Sequence, residues 1–254
     1  MSDAKRPVAL VTGVGRRAGI GAGLAERLAA TGWDIAFTYL SRYDDDKPWG
    51  PDLEARDEIT TLLQKEGARV FSVEADFEDV EAPAAVFRAT GEALGSVQAL
   101  VMSHCEQDDS GIRNTSIESF DRHFAVNTRG SWLLIKAFAE QYSAPFGDGR
   151  IIALTSDHTV GNLPYGASKG ALDRITLAAA SELSDLGITA NAINPGPIDT
   201  GWMAQDVVDL FATQNPLKRP GQPRDTANLV AFLCSPEGGW INGQLLKSNG
   251  GWGE

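Results

Sequence analysis

Cysteine is scarce. Cys105 and Cys234 are the only two thiols in 254 residues, too few for a disulfide framework, and nothing in the chain calls for an oxidising compartment. Histidine is scarce as well, and the three histidines and two cysteines show no metal-ligand spacing, so no metal site is expected. No uninterrupted apolar run reaches the ~18 residues that a membrane span needs. The opening MSDAKRPVALVTG carries its short apolar stretch straight into a glycine motif, without the long apolar region and small-residue cleavage site of a secretory signal. Positive charge is in deficit: 22 Lys+Arg stand against 34 Asp+Glu, for a net charge of −12. Such a surface repels polyanions and argues against nucleic acid and anionic membranes as partners. Neither internal repeats nor low-complexity linkers occur. A soluble cytoplasmic protein is the expectation these absences leave.

What is present fits that expectation. The chain is 43% hydrophobic and 22% charged, an ordinary globular balance. Its length suits one large domain, 1–254. Short apolar runs read as strands at Val8–Thr12, Asp34–Tyr39, Val70–Glu74, Ala99–Met102, Ile151–Ser156, Ile188–Ile193 and Gln244–Lys247. Amphipathic stretches between them read as helices at Gly21–Ala30, Leu53–Glu66, Pro83–Leu94, Ser116–Tyr142 (broken near its start), Gly166–Leu183 and Arg224–Ser235. Strands alternating with helices imply βαβ crossovers and a parallel sheet. Runs that are apolar throughout imply cover on both faces of that sheet. The polar loop Ser41–Asp52 is long for a strand–helix connection. It reads as an insertion, because the pattern resumes unchanged after it.

Between the first strand and the first helix lies TGVGRRAGIG, with Gly13, Gly15, Gly19, Ile20 and Gly21. Glycines in that context allow a tight turn and close approach of the backbone to a pyrophosphate, which the helix N-terminus then holds. A plain turn is the alternative. In an NAD-selective site a carboxylate near the end of the second strand takes the ribose 2′-OH. Here that strand ends Phe37-Thr38-Tyr39, while Arg16, Arg17 and Arg42 stand nearby. Arginine matches phosphate geometry, so the pattern favours NADP(H) over NAD(H). Asp44, Asp45 and Asp46 oppose that reading, and solvated surface arginines are its alternative.

Tyr165 and Lys169 stand four apart, on one face of a helix. A nearby ammonium lowers a phenol's pKa toward the range useful for proton transfer. Ser156 ends the strand just upstream, Asn127 sits in VNT, and NPGPIDT (194–200) follows the sixth strand. Together with the glycine loop and the tail WINGQLLKSNGG (240–251), in this order, these residues make the whole chain resemble the short-chain dehydrogenase/reductase family, with 3-oxoacyl-thioester reductases as the nearest subtype. The resemblance implies a single doubly wound Rossmann-type α/β domain, with a mostly parallel seven-stranded sheet and helices on both faces. It implies a NADPH-dependent oxidoreductase that reduces a ketone or 3-oxoacyl carbonyl. Tyr165 would be the general acid in reduction and the base in oxidation. Ser156 would hydrogen-bond the carbonyl. Lys169 would depress the Tyr165 pKa and, with Tyr165, bind the nicotinamide ribose, and Asn127 would hold a relay water. Asp76 would contact adenine, and Pro195, Gly196, Ile198 and Thr200 the nicotinamide end. His158, Trp202 and Met203 are the expected substrate-lining residues, and Gly201–Gln214 is either a lid or an ordinary packed helix. A homo-oligomer, tetramer or dimer, would form through the long helices and the last strand.

Three departures from the family pattern stand out. The glycine loop reads T-G-x5-G-I-G, longer than the commoner T-G-x3-G-I-G. Met102-Ser103-His104-Cys105 replaces the usual N-N-A-G, so a bracing asparagine is lost or its role passes to Ser103. Ser156 and Tyr165 are nine residues apart, closer than is usual, which reshapes the pocket wall or displaces Tyr165. The last possibility motivates a competing expectation, a nicotinamide-binding regulatory or structural protein with reduced or lost turnover. An enoyl-thioester reductase is a third, opposed by the Tyr165–Lys169 spacing and by Ser156.

Overall fold

The computed structural model describes residues 6–45, 47, 50–201 and 203–253. Seven described strands form one sheet: β1 (Val8–Thr12), β2 (Asp34–Tyr39), β3 (Val70–Glu74), β4 (Val97–Met102), β5 (Arg150–Leu154), β6 (Thr189–Asn194) and β7 (Leu245–Lys247). Their order is β3-β2-β1-β4-β5-β6-β7. Every pairing in it is parallel, a stricter arrangement than the mostly parallel sheet expected. The chain winds outward from β1 to β3, then crosses back and winds the other way from β4. The seam between β1 and β4 is therefore a topological switch point, where a crevice opens beyond the carboxyl ends of the strands.

Successive residues of a strand face opposite sides, and β1 shows it. Ala9 and Val11 pack on one face with α1 (Ile20–Ala30), α2 (Ala55–Lys65) and α8 (Pro223–Leu233) through Leu24, Leu28, Ile59 and Val230. Val8 and Leu10 pack on the other with α3 (Ala82–Ala93), α5 (Ser131–Gln141) and α6 (Leu163–Glu182) through Phe87, Leu134, Phe138 and Leu172. Burying each such side chain fully contributes about 1.5–3 kcal/mol.

The long helix expected over 116–142 is three pieces. Ser116 caps α4 (Ile117–His123) by accepting the Ser119 N–H at 3.1 Å. A π-helical segment, Phe124–Gly130, follows and runs on into α5. At Gly130 a Cβ would stand 2.9 Å from both Cβ and O of Phe77, so this register needs glycine there. β5 stops at Leu154, two residues before its expected end, which leaves Ser156 on a loop. Pro164 opens α6 at a position where a missing N–H is harmless, and Tyr165 lies in its first turn. The amphipathic stretch after β6 is α7 (Gln205–Gln214). The loop 41–52 is tied down on two sides. Lys47 Nζ donates to Gln107 O at 3.0 Å and Asp108 Oδ1 at 2.9 Å, and Asp52 Oδ2 accepts the Arg17 N–H at 3.1 Å. No described helix is long and apolar enough to cross a membrane.

Gly13 ends β1 with φ +76°, and a Cβ there would lie 2.6 Å from His104 Cα. Gly13→Ala therefore combines left-handed strain with a backbone clash. A loss of about 1–3 kcal/mol is expected in urea unfolding. An unchanged midpoint would show that this approach is not tight in solution.

Candidate active site

A cleft of about 1770 Å³ runs along the carboxyl ends of the strands, and Gly13, Gly15, Arg16, Gly19, Ile20 and Gly21 form one bank of it. The turn is anchored to β2. The Gly13 N–H donates to Thr38 Oγ1 at 3.3 Å and the Val14 N–H to Thr38 O at 2.7 Å. A Cβ at Gly21 would come within 2.5 Å of Gly13 O. Backbone thus packs on backbone, with the N-terminus of α1 facing the cleft.

The three arginines go separate ways. Arg42, on a 3-10 turn after β2, forms an ion pair with Asp76 at the rim, and Asp76 also accepts the Glu78 N–H at 3.0 Å. Arg16 instead reaches along the cleft, its Nη2 3.4 Å from Thr200 Oγ1. It meets there the segment of Pro195, Gly196, Ile198 and Thr200, all of which line the cleft. Arg17 is not brought into this cleft. It pairs with Glu26 Oε1 at 2.6 Å and faces a separate depression of about 620 Å³.

Ser156 and Tyr165 line the same cleft despite the short connection. The loop turns tightly: Ser156 Oγ accepts the His158 N–H at 3.2 Å, and a Cβ at Gly166 would collide with His158 O. Since Ser156 Oγ already accepts, its O–H is left to donate. Lys169 is almost wholly buried and donates to Leu154 O at 2.9 Å, with Nζ 5.6 Å from the centre of the Tyr165 ring. Burial pushes the Tyr165 phenol upward, and the Cys105 thiol beside it adds to the shift. Burial pulls Lys169 down, while Cys105 and Asp173 oppose that shift.

Asn127 is fully buried in the π-helical segment. Its amide donates to Glu106 O and Ser168 Oγ, both at 2.9 Å, and accepts the Glu106 N–H at 2.7 Å. Both of its N–H donors are thereby spent. Ser168 in turn donates to Tyr165 O at 2.7 Å.

The bracing expected to be lost or passed to Ser103 belongs to His104. Thr12 Oγ1 accepts the Ser103 N–H at 3.1 Å and lies 2.7 Å from His104 Nδ1, while His104 Nε2 lies 3.3 Å from Val126 O. The carbonyl can only accept, so Nε2 carries the proton and Nδ1 accepts from Thr12. Burial, reinforced by Lys169, pulls His104 down to about 3. It is a neutral strut.

His158 is exposed on the cleft rim, 3.4 Å through Nδ1 from Asn162 Nδ2. Met203 is half-buried and is not among the described residues lining the cleft. Trp202 lies outside the described residues. The apolar wall comes from Phe211 on α7 and from Trp252, whose rings meet edge-on at 4.6 Å. Phe211 carried a signal in its amphipathic helix. Trp252 carried none.

A parallel doubly wound sheet, a glycine bank, and Ser156 and Tyr165 at one cleft with Lys169 buried behind Tyr165 define a nicotinamide-dependent oxidoreductase class. A family model described as enoyl-(acyl carrier protein) reductase matches residues 13–253. An uncharacterized oxidoreductase, YjdA, of Bacillus subtilis is 33% identical over 99% of each chain. An NADPH-dependent aldehyde reductase-like chloroplastic protein of Arabidopsis thaliana is 36% identical over 96% of this chain and 93% of its own. Among solved structures, a blue fluorescent protein from a metagenomic library, in complex with NADPH, superposes with a TM-score of 0.85 at 32% identity, covering 98% of both chains. A dehydrogenase/reductase from Sinorhizobium meliloti gives a TM-score of 0.86 at 31% identity, covering 98% of this chain and 95% of its own. The chain belongs to the short-chain dehydrogenase/reductase family of oxidoreductases.

His104 makes a test of the site's rigidity. Its pKa rises from about 3 when folded to about 6.5 when unfolded. The unfolded chain therefore binds the extra proton between those values, and stability falls as pH drops through the window, by about 1.4 kcal/mol per unit. His104→Asn should flatten this part of the pH dependence of urea midpoints between pH 6.5 and 4. Parallel curves for the two proteins would refute the neutral buried strut.

Proposed function

We propose that this chain is an NADPH-dependent carbonyl reductase with Tyr165 as general acid. The observation that carries the reading is the meeting of Ser156 and Tyr165 on one cleft, with Lys169 buried behind the Tyr165 ring and burial holding the phenol protonated. The glycine bank fits a dinucleotide: at Gly13 and Gly21 a side chain would fill the space through which backbone approaches backbone. Gly13, Gly15, Gly19, Ile20 and Gly21 would hold the pyrophosphate, Asp76 and Arg42 the adenosine side, and Pro195, Gly196, Ile198 and Thr200 the nicotinamide side. When bound, the cofactor supplies a hydride to the carbonyl carbon.

The protein's own groups handle the oxygen. Ser156 donates a hydrogen bond to the carbonyl, polarising it, and Tyr165 delivers the proton as negative charge develops. Lys169, with Nζ 5.6 Å from the centre of the Tyr165 ring and bonded to Leu154 O, does not offset the upward pull of burial on the phenol, contrary to the depression expected of it. It is assigned with Tyr165 to holding the nicotinamide ribose. Asn127 acts as a brace, fixing Glu106 and Ser168 around α6. The spacing of four between Tyr165 and Lys169, together with Ser156, favours carbonyl over enoyl reduction. No carboxylate ends β2, and Arg42 stands where a 2′-phosphate is expected, which supports NADPH. Arg16, beside Thr200, suits the pyrophosphate or nicotinamide end better than the 2′-phosphate. The single domain is proposed to work as a cytoplasmic homo-oligomer, dimer or tetramer. Exposed Ile117 and Trp132 on α4 and α5 supply apolar area for such contacts.

Tyr165→Phe should lower kcat about 10²–10⁴-fold with NADPH affinity retained; undiminished turnover would remove Tyr165 from the chemistry. Arg42→Ala should raise the NADPH Kd about tenfold or more, the share of a charge-assisted hydrogen bond, and leave the NADH Kd unchanged. Equal changes for the two cofactors would overturn the 2′-phosphate assignment. Since burial holds the phenol neutral, reduction needs no lowering of pH to supply the proton. Its kcat should stay level from pH 6 to 8, while alcohol oxidation, which needs the phenolate, should climb with pH. A reduction rate already falling with pH below 8 would contradict the raised phenol.

A further inference from the structure

The substrate end of the cleft carries an aromatic wall that no motif announces. Phe211 is buried on α7, and Trp252, half-buried, meets it edge-on with ring centroids 4.6 Å apart; both line the cleft that holds Ser156 and Tyr165. The indole is placed by a built turn. The Trp252 N–H donates to Asn249 O at 3.2 Å, and Asn249 Nδ2 donates back to Trp252 O at 2.7 Å. Gly250 and Gly251 take φ +67° and +81°, and a Cβ on either would stand 3.1 Å from Asn215 Oδ1 or Pro216 Cγ respectively. Asn249 packs on Gly196, where a Cβ would come within 2.5 Å of Asn249 Cβ. The position of Trp252 is thus tied to α7 on one side and to the Pro195–Thr200 segment on the other. A surface tryptophan with no role needs none of this.

We infer that Phe211 and Trp252 are the specificity-determining wall of the substrate pocket, and that the substrate is a carbonyl compound bearing an aromatic ring. The inference rests on the carbonyl-reductase reading. The hydroxyls of Ser156 and Tyr165 are accounted for by the carbonyl oxygen, and the other polar side chains beside them, Asp157, His158 and Thr159, are exposed to solvent. What remains to be matched is the π surface. A ring stacked on the indole, or edge-on to Phe211, gains more than an aliphatic group of equal area, because aromatic quadrupoles favour those arrangements. A tryptophan side chain has only two rotatable torsions and Trp252 packs against Phe211, so little side-chain entropy opposes the contact.

The test compares benzaldehyde with cyclohexanecarbaldehyde, and acetophenone with cyclohexyl methyl ketone, as NADPH-dependent substrates of the full chain and of Trp252→Ala and Trp252→Phe. The wild type should prefer the aryl member of each pair by about three- to tenfold in kcat/KM, the size an aromatic contact carries. Trp252→Ala should abolish the preference mainly through KM, and Trp252→Phe should restore much of it. NADPH affinity, read by cofactor fluorescence, should be the same in all three proteins, which also reports on folding. Equal efficiency on both members by the wild type, or equal losses on both in Trp252→Ala, overturns the inference and leaves the reductase reading standing. A protein that binds NADPH but oxidises it with none of the four overturns that reading and the inference with it.

Discussion

A string of hydrogen bonds runs through the interior from the glycine loop to Tyr165. Thr12 at the end of β1 holds His104, and His104 holds Val126 in the π-helical segment. Asn127, the next residue, holds Ser168, and Ser168 holds the carbonyl of Tyr165. The links through Thr12, His104 and Asn127 join separate parts of the fold, and the last, from Ser168 to Tyr165 O, lies within the first turns of α6. Leaving one partner of a buried pair unsatisfied costs about 1–3 kcal/mol, and linked bonds inside a protein strengthen one another. The string therefore resists sliding of α6 along the sheet. It fixes Tyr165 relative to the glycine loop.

The same burial that makes the string stiff also sets the charges. Desolvation penalises whichever form is ionised, so it raises Tyr165 and lowers both Lys169 and His104. Lys169 acts in turn on His104, helping to keep it neutral, while its own Nζ rests on Leu154 O. A protein with a net charge of −12 still presents cations at its cleft, because Arg16 and Arg42 are held there by Thr200 and Asp76. Local geometry overrides the average charge at contact distance, where screening is weakest.

Much of the sheet was legible because parallel strands leave a strong mark. Val8–Thr12 is apolar at nearly every position and ends in glycine, so strand, turn and helix follow one another with few alternatives. Tyr165 and Lys169 were legible because four residues is one helical turn. What escaped depended on direction in space. Arg16 and Arg17 are neighbours in a turn, and consecutive side chains there diverge, one to Thr200 and the other to Glu26. No periodicity encodes that choice. His104 escaped because a strut is defined by its partners, Thr12 and Val126, which are remote in the chain. The continuous helical pattern over 116–142 concealed the π-helical register, since one widened turn leaves hydrophobic spacing almost intact. The short Ser156–Tyr165 loop raised doubt as a length, but length is not separation. Gly166 lets the loop fold flat against the start of α6.

The shortest strand has an influence out of proportion to its size. β7 has three residues and pairs only with β6, placing Lys247 opposite Asn194. Pairing continues one step further as the Ser248 N–H donates to Asn194 O at 2.8 Å. That register delivers Asn249 onto Gly196, whose φ of +66° bends the chain away after β6. A shift of one residue would turn each side chain of β7 to the other face and carry Asn249 off Gly196. The turn that holds Trp252 would then lose its footing, and the cleft its aromatic wall. Trp252 is thus coupled to the Pro195–Thr200 segment of the cleft through a few parallel-strand hydrogen bonds. Pocket shape in this protein depends on sheet register as much as on the loops that surround it.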